Sequence, residues 1–292
     1  MKHFLASLCC LVLCLSCSLA FAAQQAPAAK PQAKPTQQAQ QAPQPQVSPE
    51  QTFNMVAGEA AEKANPQAML TLGAFYEQGY GVPRNFVKAL EWYEKAAQAG
   101  LAEGMFNVGV CYEVGIGNSG DLAKALQYFE QAATKGLAQA DFKLSTMYAT
   151  GQNVAKDEAK AFAHLQKAAD AKFAPALNEV ALVYAQGLMG QQQDTAKAFG
   201  IFADAAEAGL PQAMVSLAAF YKDGIGTKVD LVAALRWLTI AKQAGLPQDI
   251  SPYIAEVKKG LKAPQIKEAE TKANAWIKAY VEKMQKEKEG LQ

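Results

Sequence analysis

Histidine is almost missing from this 292-residue chain, which has only His3 and His164. Cysteine is scarce where it would matter. Four of the five sit at Cys9, Cys10, Cys14 and Cys17, and Cys111 alone stands in the body. Net charge is missing too, with 28 basic side chains against 27 acidic ones. That balance argues against broad electrostatic capture of nucleic acid or of an acidic membrane. One histidine and one cysteine beyond the leader leave too few ligands for a zinc site. They also allow no intramolecular disulfide, so the body must be held by its core alone.

What is present begins with a leader. Basic Lys2 precedes an apolar run from Phe4 to Leu19, which closes with Ala20-Phe21-Ala22, the small-x-small pattern of a signal-peptide cleavage site. The expectation is a signal peptide over residues 1–22, cleaved after Ala22, and an exported chain, periplasmic or secreted. The rivals are an uncleaved anchor and a lipoprotein, although neither Cys14 nor Cys17 follows a good lipobox. Without residues 1–22 the chain has 27 bases and 27 acids. Residues 23–49 hold nine Gln, seven Ala and six Pro, with Val47 the one larger aliphatic residue. Such a segment has nothing to offset the entropy of ordering it, so a disordered linker is expected. In polyproline II form it would reach up to ~80 Å.

From Asn65 onward one phrase recurs. Gly79, Gly115, Gly151, Gly187 and Gly224 are spaced by 36, 36, 36 and 37 residues, and Tyr76, Tyr112, Tyr148, Tyr184 and Tyr221 each precede their glycine by three. Within a unit the apolar positions have helical spacing. Ala68, Met69, Leu72, Phe75 and Tyr76 mark a first helix closed by Gly79. Ala89, Trp92, Tyr93, Ala96 and Ala97 mark a second, over about Asn85–Ala99, closed by Gly100. Small residues form columns: Ala89, Ala125, Ala161, Ala198 and Ala234, and also Gly73, Gly109, Ser145, Ala181 and Ala218. Small side chains let helices approach closely while the aromatic columns beside them fill the space between layers. A lone helix pair cannot bury both its sides, but five stacked pairs can. The fold class expected is therefore all-α, an α-solenoid of five helix-turn-helix repeats of 36–37 residues with helical caps. The repeats are placed at 65–100, 101–136, 137–172, 173–209 and 210–245.

The caps are read from the flanks. Ser48-Pro49-Glu50 has the form of an N-cap followed by proline at the first helical position, opening a capping helix over 50–64. Beyond Gly245 the phrase lapses. Ser251-Pro252 opens a short helix and Pro264 a long one to about Lys288, making 246–292 a pair of C-terminal caps. A strict heptad over the long helix would place Lys283 in its seam, which argues against a coiled coil. The rival reading is a helix that docks into a partner's groove.

The run Ala68-x-x-x-Leu72-Gly73-x-x-Tyr76-x-x-Gly79-x-Gly81-Val82, followed by Lys88-Ala89-x-x-Trp92-Tyr93-x-Lys95-Ala96-Ala97-x-x-Gly100, resembles the Sel-one-like repeat (SLR), a relative of the tetratricopeptide repeat. The likeness covers about Asn65–Gly245 and is weakest in the fourth unit, where Leu188-Met189-Gly190 stands in place of the Gly-x-Gly turn. It implies protein–protein binding, commonly as an adaptor in a bacterial envelope, with no shared reaction. Some members carry a pair of cysteines in each repeat. This chain does not, so functions tied to that subgroup are not implied.

The repeat register also predicts the setting of every reactive side chain. His164 aligns with Trp92, Tyr128, Ile201 and Trp237, and Cys111 with Phe75, Met147, Val183 and Phe220. Both are therefore expected to be core filler, which leaves a Cys–His dyad or a Ser-His-Asp triad without members. Acids remain as catalytic candidates: Glu91 with Glu94, Glu77 with Glu113, and Asp157 with Glu158. Most of these have ordinary duties at helix starts or in surface pairs. The Gly-x-Gly turns follow helices, whereas a phosphate loop follows a strand. No catalytic residue, metal or cofactor is expected.

If the array curves as solenoids do, the first helix of each unit lines the inner face. Projected at 100° per residue with Leu72 inward, it turns two columns away from the core. One is Thr71, Asn107, Lys143, Glu179 and Ser216, and the other is Ala74, Val110, Thr146, Leu182 and Ala219. These are the expected partner-binding residues, with Leu70, Phe106, Phe142 and Val215 at the border. The expected function is an exported, non-enzymatic scaffold for a protein or peptide, regulating a membrane sensor or contacting a host protein. The alternative is an envelope-maintenance factor that binds peptidoglycan or a cell-wall enzyme, and a carboxylate-based hydrolase ranks last. A membrane contact is expected only through an uncleaved or lipidated N-terminus.

Overall fold

The computed structural model describes residues 48–289, and the expected signal peptide and most of the expected linker lie outside them. Among the described residues there are thirteen helices and no strands. In the account below, A and B denote the first and second helix of each unit. After α1 (Pro49–Glu62) the pairs are α2 (Pro66–Gln78) and α3 (Phe86–Gln98), α4 (Ala102–Val114) and α5 (Leu122–Thr134), α6 (Ala138–Thr150) and α7 (Glu158–Asp170), α8 (Ala174–Gln186) and α9 (Thr195–Glu207), and α10 (Pro211–Asp223) and α11 (Leu231–Gln243). The chain ends in α12 (Ser251–Lys259) and α13 (Ala263–Glu289). From α1 to α11 each helix packs on its immediate neighbours in sequence, and α12 and α13 both return to α11. This is the expected all-α solenoid.

The boundaries have local causes. Every B helix opens on an Asn or Asp, at Asn85, Asp121, Asp157, Asp194 and Asp230. Each side-chain oxygen accepts the backbone N–H three residues on, at 2.9–3.0 Å. Every A helix ends at its column glycine in the left-handed region, as at Gly115 with φ 76°. Two residues later the chain is left-handed again. At Gly117 a Cβ would strike the carbonyl oxygen of Phe86, so only glycine lets this turn rest on the start of α3. The equivalent position is Asn153 in the third unit and Met189 in the fourth, both with positive φ. The third and fourth turns thus keep the left-handed residue here without glycine.

The columns hold in space. Leu72, Val108, Leu144, Val180 and Leu217 are all buried, as are the five alanines from Ala89 to Ala234 and the row Tyr93, Phe129, Leu165, Phe202 and Leu238. Small and large residues are matched across helices. A Cβ at Gly73 would overlap the Tyr93 ring, and one at Gly109 would lie 2.7 Å from Phe129.

The ends are closed differently. Helix α1 stands where a B helix of a preceding unit would. Ser48 caps it with a reciprocal Gln51 contact, and Pro49 presents its carbonyl to Gly81 as Phe86 does to Gly117. Phe53 meets Tyr76 edge-on at 5.5 Å, as Phe199 meets Tyr221 at 5.1 Å. At the other end α13 lies on α11 and buries Ala269 and Ala273. Trp276 packs edge-on against Trp237 and donates its indole N–H to Glu207 at 2.6 Å, while the Tyr280 hydroxyl donates to the carbonyl of Ala208. Val281 and Met284, beyond that contact, are exposed. Among the described residues no helix is long and apolar enough to cross a membrane.

Candidate functional site

The A helices place the two expected binding columns on the side away from their core row, but few of the ten positions are open. Thr71, Asn107, Lys143, Glu179 and Ser216 are all half-buried. Thr71 and Ser216 turn their hydroxyls back to the carbonyls of Gln67 and Gln212. Lys143 pairs with Glu113 of the preceding unit at 2.7 Å and lies 5.7 Å from the centre of the Phe129 ring. In the second column Thr146 is exposed, and Ala74, Val110 and Leu182 are half-buried. Ala219 is only 3% exposed and so is not an open position. One turn further on, Lys222 is bound by Glu256 at 2.8 Å and sits over the Tyr253 ring, so α12 closes this end of the face.

The border residues lean toward the core. Phe106 packs on Phe129, Phe142 on Phe173, and Leu70 and Val215 join the packed clusters. The fourth-unit member of that column is polar. Asn178 is 6% exposed and its Oδ1 has no hydrogen-bond partner. Beside it, burial raises the carboxyl of Glu179 above the ordinary carboxylate range, and a hydrogen bond from the Asn178 side chain partly opposes the rise. No ion pair among the described residues neutralises Glu179.

The expectation that His164 is inert filler is corrected. Its Nδ1 lies 2.7 Å from Oδ1 of the buried Asp141, with the imidazole N–H donating to the carboxylate, and its ring stacks on Tyr148. The physical reason is a paired exchange. Asp141 takes the place of Met69, Met105, Leu177 and Met214 in their column, and His164 takes the place of Trp92, Tyr128, Ile201 and Trp237 in the facing one. Asp141 is hidden in the sequence because the other four members of its column are apolar. The signal lay in two departures, in neighbouring columns, within the same unit.

Cys111 is buried as expected. Burial first, and then the charges of Glu77 and Glu94, push its thiol up to about 12, so it is no nucleophile at neutral pH. Five of the six candidate acids have structural partners, and Glu91 is exposed on α3. Glu77 accepts from the Tyr93 hydroxyl at 2.6 Å and Glu94 from Tyr112 at 3.2 Å. Glu113 holds Lys143, Glu158 holds Lys156, and Asp157 caps α7. Among the described residues no three His, Cys, Asp or Glu side chains converge as metal ligands would.

Comparison with known proteins agrees with this architecture. The Sel1 repeat model matches residues 66–101, 102–137, 138–173, 174–210 and 211–246. A Sel1 repeat protein from Oxalobacter formigenes is similar in structure, with 28% identity and a TM-score of 0.63 over 80% of this chain and 94% of that one. A protective antigen of uropathogenic Escherichia coli aligns at 22% identity and TM-score 0.48, over 84% of this chain and 60% of that one. An immunity protein of Pseudomonas aeruginosa aligns at 19% and 0.48, over 76% and 80%. None of the curated proteins matches the sequence.

Proposed function

Because the chain belongs to the Sel1 repeat family, we propose that it is an exported, non-catalytic scaffold that binds another protein or peptide along the face of its A helices. The observation that carries this reading is the contrast between columns. The core rows of Leu72, Ala89 and Tyr93 stay apolar through five units, while the A-face column changes from Thr71 to Lys143 to Glu179. A surface that varies on a constant scaffold suits recognition of an irregular chain. Export rests on the leader at residues 1–22, and the Gln/Ala/Pro-rich stretch after it would set the array off from the envelope as a spacer. Such a scaffold would regulate a membrane sensor or contact a host protein. The alternative, envelope maintenance, would instead place peptidoglycan or a cell-wall enzyme on the same face.

The test is affinity capture from the envelope fraction after crosslinking, run beside sedimentation with purified sacculi. The proposal expects a protein partner captured by the wild type and lost with Thr146→Trp, which blocks an open A-face position, and no cosedimentation. Cosedimentation with sacculi that Thr146→Trp abolishes would favour the alternative. Recovery of the full-length chain from the cytoplasm would overturn export.

A further inference from the structure

We propose that the A face of the fourth unit receives a positively charged side chain, a lysine or arginine from an extended segment of the partner protein, on Glu179 and Asn178. This deepens the binding reading above and rests on it.

Within the first A-face column, the fold completes the contacts of three members itself. Thr71 and Ser216 bond to their own helices, and Lys143 meets the carboxylate of Glu113. Glu179 differs. It is half-buried, and no basic side chain among the described residues pairs with it. The Asn178 side chain hydrogen-bonds to it, and the Asn178 oxygen is itself buried without a donor. Glu179 therefore offers a half-buried carboxylate without a cation, and the adjacent Asn178 holds a buried amide oxygen that lacks a donor. A carboxylate at a covered site costs free energy until a partner of opposite charge meets it.

The rest of the column shows that packing alone would not select these groups. Leu70, Phe106, Phe142 and Val215 fill the positions equivalent to Asn178 with apolar side chains. An ammonium or guanidinium supplies the missing donors, and the charge assistance strengthens each bond. The half-buried apolar side chain of Leu182, one turn on along the same helix, suits the methylene stem of such a residue.

The test uses the full chain and a phage-displayed random heptapeptide library. Binders are kept if Thr146→Trp abolishes their binding. The best binder is then resynthesised with its basic residue as arginine, lysine or uncharged citrulline, and titrated against wild type and Glu179→Gln. The inference expects a basic residue in the binders and at least a tenfold loss on exchange of arginine for citrulline. It expects that preference to fall below threefold in Glu179→Gln, whose melting temperature should not fall. Binders that occupy the face without a basic residue, or that hold equally to Glu179→Gln, overturn this inference and leave the binding reading standing. Selection of no binder sensitive to Thr146→Trp overturns both.

Discussion

The second and third units solve the same packing problem with different chemistry. In the second, Met105 and Tyr128 occupy the two facing columns, and Gly109 makes room for Phe129. In the third, Asp141 and His164 stand in the first pair of places, and Ser145 and Leu165 in the second. The helices keep the same lengths, caps and left-handed closures in both. The difference teaches that this scaffold constrains pairs and not single residues. A polar group is admitted to a buried column when its partner changes with it, and a larger small residue when the ring opposite shrinks.

The comparison breaks hardest at His164. His164→Ala leaves the Asp141 carboxylate buried without its donor, and should cost about 3 kcal/mol in urea unfolding. A loss below about 1 kcal/mol would mean the pair adds little. Next comes Gly109→Ser, which brings the third unit's small residue into the second. Its Cβ meets the Phe129 ring at 2.7 Å, with an expected cost of about 2 kcal/mol, and Phe129→Leu in the same chain should recover most of it. The reverse graft is gentler. Asp141→Met with His164→Tyr rebuilds the second unit's apolar pair, and should stay within about 1 kcal/mol of wild type or exceed it. If the double variant is as damaged as His164→Ala, the pairing account fails.

The smallest effect sharpens the contrast between Lys143, whose charge is met, and Glu179, whose charge is not. Burial raises the folded-state carboxyl of Glu179, so the folded chain binds that proton more tightly than the unfolded one. The ionised form therefore burdens the fold at neutral pH, and protonation relieves the burden as pH falls toward the ordinary carboxylate range. Glu179→Gln should be slightly more stable than wild type at pH 7, and the advantage should disappear below about pH 4. A constant difference across that range would contradict it.

The fold was legible because it is written five times. Tyr76 and Gly79, with their counterparts, announce the period, and the alanines from Ala89 to Ala234 announce the packing. Helix α1 was legible as a capped helix from Ser48-Pro49, but its standing as a missing unit's B helix emerges only from Pro49 resting on Gly81. The closure of the face at Lys222 was hidden because the residues that close it, Tyr253 and Glu256, lie outside the repeated phrase. Asp141 and His164 were hidden for another reason. Each is a minority member of its column, and their partnership depends on two helices meeting, which no column shows alone. Asn178 was hidden because its column is otherwise hydrophobic and packs toward the core.

The central claim, that the A face is the recognition surface, is tested most directly by site-specific photocrosslinking in the living cell. A photoreactive residue at Thr146 on the A face is compared with one at the exposed Gln127 of the B helix α5. The account predicts a discrete higher-mass adduct from position 146, lost when Glu179 becomes glutamine, and none from position 127. Adducts from 127 alone, or equal adducts from both that ignore Glu179, would contradict it.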